Sequence, residues 1–422
     1  MESCPNMSPT SPSEHAPPLA GLRVVEFSAF VAAPSAGLAL AQLGAQVIRI
    51  DPPGGNIDAD RWPVNAAGAS LYWASLNHGK RSLALDPRDP TGAKLIQDLI
   101  TAPGAGGGIF LTNLPVDGPL GWVALSARRA DLIMVQLVGS SDGTAAVDYT
   151  VNCASGYPAI TGRGHEPVNH VLPAWDLLAG MTLATATLAA ERHRRLTGAG
   201  QHVRLALSDV AFGATANLGF LADVEVNGQQ RVADGNYLYG AYGDAFPTAD
   251  GRHVMVVAIS DRQWRALVGA VGVGEALLAA AAATGHRLDS EAGRWRARDL
   301  ISAFLRPWFA HRTLAQVAAA FTDRSLLWGP YRDFAQMIAE DPRVSEANPM
   351  FTRLDHPGYG RFLTTRSPLA FSASVTPAPA PAPRIGADTT AVLQEVLALD
   401  DAQIRDLAAR GIAGTIANST DA

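Results

Sequence analysis

The chain has 422 residues, of which 48% are hydrophobic and 17% charged, so it is long and apolar enough to form at least two domains with large cores. Its net charge is −6 and it has no Lys/Arg block apart from the cationic segment at 191–195, which argues against a nucleic-acid-binding surface. The two cysteines are too few for a disulfide framework or a cysteine-based metal site, and the sequence shows neither a signal-peptide pattern nor a membrane-spanning run. We therefore predict a soluble, cytoplasmic protein without metal, membrane or nucleic-acid partners.

Apolar runs of strand length alternate with helical segments along the first half of the chain. Predicted helices at 32–43 and 90–100 each lie between two such runs, which is the spacing of parallel strands joined by right-handed crossovers. The predicted strands lie at 22–27, 46–50, 82–86, 108–112, 132–138 and 202–207. This pattern predicts an α/β fold with an open, parallel, Rossmann-like sheet, and ligands are expected at the carboxyl ends of its strands.

The second half of the chain changes character near Asn227. A loop rich in glycine and tyrosine, which includes Tyr242–Asp244, precedes a predicted strand at 253–258 and helices at 261–271 and 293–311. These elements indicate a smaller α+β domain, and a polyproline-type stretch then leads to a helical C-terminal segment. The predicted boundaries are a disordered leader at 1–18, a large domain at 19–225 and 375–422, a small domain at 226–345 and a linker at 346–374.

Two local motifs suggest other chemistries and are rejected. Asp51 closes the second strand as a ribose-binding acid would, but the turn at 28–34 has no GxGxxG pattern, which argues against NAD. Ser141 lies in a GxSxG sequence after a strand, but the β-branched residues from Thr144 to Val151 lack the helical pattern that a nucleophile elbow requires. Neither a dinucleotide enzyme nor a serine hydrolase is predicted.

Asp176 follows Pro173 and precedes a long apolar run that ends in a cationic segment and a glycine-rich turn. Cations in the last turn and glycine beyond it are helix stop signals, so a buried helix is predicted at about 176–196. Two interpretations of Asp176 are open on this pattern. It is either a capping residue, because free N–H groups at a helix start favour a carboxylate, or a nucleophile held ionised at the mouth of an apolar site.

Several segments spread over residues 19–415 together resemble the family III CoA-transferases, which include formyl-CoA transferase, carnitine CoA-transferase and α-methylacyl-CoA racemase. In that family the aspartate that opens the helix leading into a Thr-Gly-x-Gly-Gln turn is the nucleophile. The resemblance assigns this role to Asp176 and favours it over capping alone. The segments that carry it lie at 19–27, 43–50, 52–55, 77–86, 195–201 and 382–386.

The resemblance also implies an interlocked homodimer and a small-molecule acyl-CoA substrate, with CoA present as part of that substrate and no permanently bound cofactor. The family arginine that follows the acid of the second strand is Pro52 here, so other cations must meet the CoA phosphates, and Lys80, Arg81 and Arg88 are the candidates. The implied CoA contacts are Val31, Ala32, Leu85, Asp86, Arg88, Asn113 and Asp148.

Within the family, the segments 28–34, 148–152, 168–176, 190–198 and 235–240 are similar to a branch that moves CoA between the two carboxyl groups of mesaconyl-CoA. The implied reaction is intramolecular and uses a covalent aspartyl intermediate. Val147 stands where the racemase branch has its catalytic histidine, which argues against racemisation. An intermolecular CoA-transferase and a catalytically silent acyl-CoA-binding protein are the alternatives.

An anhydride intermediate hydrolyses readily, so a closing loop is expected to exclude water. The predicted lid consists of Gly235, Asn236, Tyr237, Tyr239 and Gly240. Backbone N–H groups near the start of the Asp176 helix are expected to stabilise the oxyanions. His170 is the predicted substrate contact, with Arg163 and His165 as further candidates and a structural role as the alternative for the histidines.

Overall fold

The computed structural model describes residues 16–322 and 325–414, so the predicted leader lies outside the described residues except for 16–18. The chain divides into two compact units. The larger unit runs to Gly156, resumes over His170–Gly228 and continues from Pro342, whereas the smaller comprises Tyr157–Asn169 and Gln229–Asp341. Residues 157–169, which the sequence placed in the large domain, therefore belong to the smaller unit.

The larger unit is built on a seven-stranded sheet. Its strands are β1 (Arg23–Phe27), β2 (Gln46–Asp51), β3 (Arg81–Leu85), β4 (Ile109–Thr112), β5 (Ile133–Val138), β6 (Gln201–Ala206) and β12 (Ala413–Gly414). Their order in the sheet is β12-β3-β2-β1-β4-β5-β6, and all neighbouring strands are parallel except β12, which pairs antiparallel with β3. The predicted open, parallel, Rossmann-like sheet is confirmed.

Helices of the larger unit bury their apolar faces against this sheet, and one core cluster joins sheet residues such as Ile48 and Phe110 to Ile96, Leu393 and Leu407 of the helices. The C-terminal segment thus completes the core formed by the N-terminal strands. The helices are α1 (Ala32–Gln42), α2 (Leu71–Asn77), α3 (Pro90–Thr101), α4 (Trp122–Arg128), α5 (Asp148–Ala154), α7 (Ala174–Thr197), α8 (Leu207–Asn217), α9 (Phe220–Asn227), α16 (Thr389–Leu397) and α17 (Asp401–Ala409), with 3₁₀ turns at Gly118–Leu120 and Pro342–Val344.

Helix α7 is the long helix of this unit and ends at Gly198, which has φ of +76°. Near its end, Arg194 donates from Nη1 to the carbonyl oxygen of Gly107 (2.7 Å), just before β4 begins. The C-terminus of α7 therefore lies at the amino ends of the strands. A helix of 24 residues is about 36 Å long, so the N-terminus with Asp176 reaches the carboxyl ends, where ligands bind in sheets of this type.

The smaller unit has a three-stranded antiparallel sheet of β7 (Tyr242–Pro247), β8 (His253–Ala258) and β9 (Leu327–Pro330). Tyr242 and Phe246 are fully buried on its inner face. The predicted loop at Tyr242–Asp244 is wrong, because these residues pair antiparallel with Val256–Ala258 of β8 and so form the start of β7. The helices are α6 (Tyr157–Ile160), α10 (Asp261–Val271), α11 (Gly274–Ala283), α12 (Glu291–Arg296), α13 (Arg298–Ala310), α14 (Leu314–Phe321) and α15 (Phe334–Glu340).

The segment expected to be a linker at 346–374 forms a β-hairpin in the larger unit. Strands β10 (Phe351–His356) and β11 (Gly360–Thr365) pair over six residues around a tight turn at Gly358. The His356 ring also accepts a hydrogen bond from the Ala382 N–H (2.9 Å), which ties the hairpin to the proline-rich stretch. Because tertiary contacts hold it on both sides, this segment is an ordered part of the unit.

In the described parts of the chain, no single helix is long and apolar enough to cross a membrane. Helices α10 and α11 reach that length and composition only when taken together, and they are bent by 112°.

Candidate active site

Asp176 is the third residue of α7, and the cap of this helix comes from another element. Pro173 at the N-cap position offers no side-chain acceptor. Instead Asp148, on the first turn of α5, accepts hydrogen bonds at Oδ2 from the N–H groups of Trp175 (2.8 Å) and Asp176 (3.0 Å). A carboxylate in this position satisfies two of the four unpaired donors of a helix start. The capping role considered for Asp176 thus belongs to Asp148, and the Asp176 side chain is left available.

Helix α5 and the segment before α7 are tied together by a polar network around Asp148, which is only 2% exposed. The second oxygen of Asp148 lies 3.1 Å from Nε2 of His170. The indole of Trp175 donates to Oδ1 of Asn152 (3.0 Å), and the Tyr149 hydroxyl donates to the Val171 carbonyl (3.3 Å). Both oxygens of Asp148 are engaged within the protein, so its predicted role as a CoA contact is replaced by one in positioning.

The Asp176 carboxyl group is a stronger base than an ordinary aspartate. Burial raises its pKa from 3.8 to about 6, the charge of Asp148 adds to the rise, and the charge of Arg61 opposes it. At neutral pH the group is still mostly ionised. A carboxylate that is ionised but poorly solvated has the properties of a nucleophile rather than of a solvated surface acid.

The loop after β1 is held beside the first turns of α7 by a close approach of two helices. A Cβ added at Gly180 would lie 2.0 Å from Oγ of Ser35 and 2.7 Å from the carbonyl oxygen of Ala32, so only glycine allows α1 and α7 to meet this closely. Asp176 is one turn before Gly180 on the same helix face. The start of α1 therefore lies next to the candidate nucleophile.

Phe30 lies two residues before α1 and has an unusual left-handed backbone (φ of +64°). Its N–H donates to Oδ2 of Asp58 (2.8 Å), which holds the turn in place. The guanidinium carbon of Arg61 lies 5.4 Å from the centre of the Phe30 ring and 5.3 Å from that of Tyr72. An arginine supported by two aromatic faces thus stands beside the loop that meets α7.

A network of buried charges lies beneath this loop. Arg49 is 1% exposed, donates to Asp51 and Asp58, and lies 3.6 Å from Glu26. Lys80 donates to Glu26 (2.9 Å) and to the oxygens of Pro34 and Asn77 (both 2.8 Å), which uses all three of its hydrogens. We therefore drop Lys80 from the candidate phosphate contacts. Asp51 is equally enclosed, which agrees with the rejection of a ribose-binding acid.

The other predicted CoA residues differ in how accessible they are. Arg81 forms ion pairs with Glu395 (2.5 Å) and Asp388 (3.5 Å) of the C-terminal segment. The side chain of Arg88 is 83% exposed, and among residues 16–322 and 325–414 its one ion pair is with Asp86 (3.0 Å), so its guanidinium remains open to solvent. Arg88 is the best placed of the three predicted cations to meet a phosphate.

Four further predicted contacts offer little side-chain surface. The Asn113 carboxamide accepts from the N–H of Ala29 (2.9 Å) and donates to its carbonyl (2.7 Å), so it braces the loop after β1. The side chains of Leu85, Val31 and Ala32 are buried. Contact of these residues with CoA would have to be made by their backbone.

The predicted lid residues lie in the smaller unit, where their aromatic side chains rest on α12 and α13. The Tyr237 hydroxyl donates to Asp299 (2.8 Å), and the Tyr239 ring lies 5.2 Å from the ring of Trp295. The N–H of Gly235 donates to the Gly162 carbonyl (2.6 Å), and the Arg163 side chain packs over Gly235. Any closing movement of this loop would have to break these contacts.

The GxSxG serine is part of a surface turn. Ser141 is exposed and donates to Asp209 (3.1 Å). The helix α5 begins at Asp148, although the sequence favoured no helix before Val151, because the Thr150 hydroxyl accepts the Val147 N–H (3.1 Å) and supports the first turn. No group of three metal-binding side chains occurs among residues 16–322 and 325–414.

Comparison with known proteins decides the family. The sequence profile of CoA-transferase family III matches residues 19–389. The chain belongs to CoA-transferase family III. It is 51% identical to the 2-methylfumaryl-CoA isomerase of Chloroflexus aurantiacus over 397 residues, which cover 93% of this chain and 97% of that protein. It is 28% identical to the succinate–glutarate CoA-transferase of Agrobacterium fabrum, over 90% of this chain and 96% of that protein.

The fold agrees with this assignment. The crystal structure of a CAIB/BAIF family protein from Brucella suis matches with a TM-score of 0.75 and 25% identity, covering 90% of this chain and all of that one. The family resemblance inferred from the sequence is confirmed, and the chain is a family III CoA-transferase, an enzyme that acts on CoA thioesters.

Sequence reasoning missed three features of this family III site. Arg61 and Tyr72 lie in and just after the long loop that follows β2, and no local pattern marks them. The cap that Asp148 places on α7 joins residues that are 28 positions apart. The one signal in the sequence is Pro173, which stands where a capping side chain is expected. Because proline has no side-chain acceptor, the cap has to come from another element.

Proposed function

We propose that this enzyme moves CoA between the two carboxyl groups of 2-methylfumaryl-CoA (mesaconyl-CoA) to give 3-methylfumaryl-CoA, with Asp176 as the covalent carrier. The observation that carries the proposal is the state of Asp176. It is partly buried and ionised, and its own helix start is already capped by Asp148 (3.0 Å). The 51% identity to an enzyme named for this reaction supports the choice of substrate.

In the first half of the reaction, the Asp176 carboxylate attacks the thioester carbonyl carbon. The C–S bond breaks, which gives a mixed anhydride and the CoA thiolate. The thiolate then attacks the aspartyl carbonyl of the anhydride and releases the dicarboxylate. Asp176 now carries CoA as a thioester, and no atom has been lost.

In the second half, the other carboxylate of the enclosed dicarboxylate attacks the aspartyl thioester and expels the thiolate. The thiolate attacks the acyl carbonyl of the new anhydride. The isomeric acyl-CoA leaves and the Asp176 carboxylate is regenerated. The raised pKa of Asp176, to about 6, suits this exchange, because a more basic carboxylate is a better nucleophile while remaining ionised at neutral pH.

The source of oxyanion stabilisation differs from the sequence prediction. The N–H groups of Trp175 and Asp176 donate to Asp148, and that of Leu177 donates to the Pro173 carbonyl (3.0 Å). The predicted donors at the start of α7 are therefore already engaged. The start of α1 has no side-chain cap, so the N–H groups of Ala32 and Ala33 are the donors that we assign to the oxyanion.

Exclusion of water completes the proposal. An anhydride in contact with solvent would hydrolyse, so the loop from Gly235 to Gly240 is proposed to close over the bound acyl group. We keep the homodimer and the cytoplasmic location as further predictions, and gel filtration against size standards tests the first. The predicted dimer is contradicted if the protein elutes as a monomer at micromolar concentration.

One assay tests the function. Purified protein is incubated with 2-methylfumaryl-CoA and no added acid, and the two regioisomers are separated by chromatography. Formation of 3-methylfumaryl-CoA supports the proposal. Transfer that begins only when a second carboxylic acid is added identifies an intermolecular transferase, and binding without turnover identifies a silent acyl-CoA-binding protein.

The covalent step is tested in the same samples. Hydroxylamine trapping followed by peptide mass spectrometry should modify Asp176 in the native enzyme. Asp176→Asn should give no adduct and no turnover. The matched control is Asp223→Asn, which changes an aspartate in the first turn of α9, a helix with no buried residue, and should keep full activity. Turnover retained in Asp176→Asn would refute the assignment.

A further inference from the structure

We infer that Arg61 binds the carboxylate of the acyl group that does not carry CoA, and so selects dicarboxylic acyl-CoA substrates. This inference rests on the proposed function and names the residue that makes it specific for diacids. Arg61 lies outside every segment that the family resemblance singled out. This role is assigned to Arg61 from the contacts that it makes within and around the loop between β2 and α2.

The backbone of Arg61 is anchored on both sides. Its N–H donates to the Asp58 carbonyl (3.2 Å), and its own carbonyl accepts from the hydroxyl of Ser70 (2.5 Å). Ser70 is 1% exposed and also caps α2 by accepting the Trp73 N–H (3.0 Å). The position of Arg61 is therefore fixed by the same buried serine that starts a helix.

The side chain of Arg61 is supported and still accessible. Its guanidinium lies against the rings of Phe30 (5.4 Å) and Tyr72 (5.3 Å), while the residue as a whole is exposed. Within the described residues, Arg61 forms no ion pair with an aspartate or glutamate. A guanidinium has five N–H donors, so one that lies against aromatic faces can still offer two parallel hydrogen bonds to a carboxylate.

Packing links Arg61 to the start of α7, because its guanidinium lies 5.4 Å from the ring of Phe30, in the loop that leads into α1. The Arg61 charge opposes the rise in the pKa of Asp176 that burial imposes. Burial likewise raises the pKa of Tyr72, the Arg61 charge and hydrogen bond oppose that rise, and the Asp176 charge adds to it. Phe30 precedes α1, whose start packs on Gly180, one turn after Asp176. Arg61, Tyr72 and Asp176 are therefore neighbours.

The position of Arg61 favours binding of the acyl carboxylate over binding of the CoA phosphates. When the thioester carbonyl meets Asp176, the free carboxylate of a butenedioic acyl group is held nearby by a rigid double bond. The phosphates lie at the far end of the pantetheine arm, many bonds from the reacting carbon. A cation that interacts with Asp176 is thus placed for the acyl group. During the reaction the two carboxyl groups of the dicarboxylate exchange roles. The same guanidinium can therefore bind the free carboxylate of either isomer.

Equilibrium binding tests the inference without turnover. In the Asp176→Asn background, Kd values are measured by calorimetry for 2-methylfumaryl-CoA, for succinyl-CoA and for crotonyl-CoA, which has no second carboxylate. Arg61→Gln should weaken both dicarboxylic thioesters by about tenfold or more, as expected for loss of a charge-assisted pair, and leave crotonyl-CoA within about twofold. Arg61→Lys should give an intermediate loss, because the ammonium keeps the charge and loses the planar fork.

The matched control is Arg192→Gln. Arg192 is an exposed arginine on α7, about 24 Å along the helix from Asp176, and its removal should change no Kd. If Arg61→Gln weakens the binding of all three thioesters equally, Arg61 contacts the CoA moiety instead of the acyl carboxylate. If it weakens the binding of none, Arg61 does not contact the ligand. Either result overturns the inference. Unchanged far-ultraviolet circular dichroism shows that the variants are folded.

The binding test is independent of the isomerisation assay. If the native enzyme fails to isomerise 2-methylfumaryl-CoA, the proposed function fails. The preference of Arg61 for dicarboxylic over monocarboxylic thioesters is still measured by the three Kd values. The two hypotheses can thus be rejected separately.

Discussion

The carboxylate of Asp148 accepts the backbone N–H of Asp176 at 3.0 Å, so two acidic side chains meet at the start of one helix. The first caps the helix and the second is the candidate nucleophile. Because Asp148 is 2% exposed, its negative charge is poorly screened and raises the pKa of its neighbour. The residue that positions Asp176 therefore also adds to the rise in its pKa, of which burial is the largest cause.

We expect the pH profile of kcat/KM to report this coupling. In the native enzyme, kcat/KM should fall as the pH drops through about 6, because Asp176 becomes protonated and loses its nucleophilic form. In Asp148→Asn, one negative charge is removed, so the pKa of Asp176 should fall and the acid limb should move to lower pH. An acid limb that stays in place would show that Asp148 does not act through its charge. Asp148→Ala additionally removes the cap and should cost about 1 kcal/mol of stability.

Asp176→Asn should stabilise the protein while abolishing turnover. The pKa of Asp176 is raised in the folded state, from 3.8 to about 6, so the fold prefers the neutral group. Above pH 6 the ionised group therefore destabilises the fold, on the order of 2 kcal/mol, and this penalty disappears as the pH falls below about 4. Asparagine mimics the neutral form.

Thermal melts measure this difference. The melting temperature of Asp176→Asn should exceed that of the native protein at pH 8, and the two should converge near pH 4. Asp223→Asn should show no such pH-dependent gain. A variant that is less stable than the native protein at pH 8 would contradict the expected penalty.

Gly180→Ala should disturb the site without changing any polar group. The added methyl would lie 2.0 Å from Oγ of Ser35 and 2.7 Å from the backbone oxygen of Ala32, so α1 and α7 must separate. Overpacking of this kind costs about 1–3 kcal/mol, and the shift of α1 should also lower kcat. Gly213→Ala is the control, because nothing lies within 4 Å of its added Cβ in α8 and better helix propensity should stabilise it by about 0.5–1 kcal/mol. Equal effects at the two positions, measured by urea denaturation, would contradict the close approach.

Lys80→Met should separate a structural from a substrate-binding role for this lysine. Loss of the buried ammonium leaves Glu26 partly unpaired and should cost about 3–5 kcal/mol in the free energy of unfolding, with little change in KM of the folded fraction. Lys94→Met breaks an exposed pair with Asp98 on α3 and should cost less than about 1 kcal/mol. A raised KM with unchanged stability in Lys80→Met would restore the phosphate-binding interpretation.

The elements that the sequence predicted well are those defined by local signals. The helix expected at 176–196 spans Ala174–Thr197, because cations and Gly198 end it locally. The strand β1, expected at 22–27, is confirmed at Arg23–Phe27. The family motif around Asp176 is local as well, so the candidate nucleophile could be named without a structure.

The features that the sequence did not predict depend on distant partners. Lys80 is removed from solvent by Glu26, which is 54 residues away. Asp148 caps a helix on another element, and Arg61 acquires its surroundings from Phe30 and Tyr72. No periodicity or motif encodes these contacts, since each one arises only when the sheet brings separate loops to the same edge.

The short strand β12 has a consequence for how the protein is made. Its two residues, Ala413 and Gly414, cover the outer edge of β3, and Ile412 beside them belongs to the same core as Ile48 and Leu83. During synthesis the ribosome must therefore deliver the chain as far as Gly414 before this edge is shielded from pairing with another nascent chain. The edge of β3 is thus paired only once this segment is in place, and deletion of Ala413 and Gly414 should leave it open to other strands.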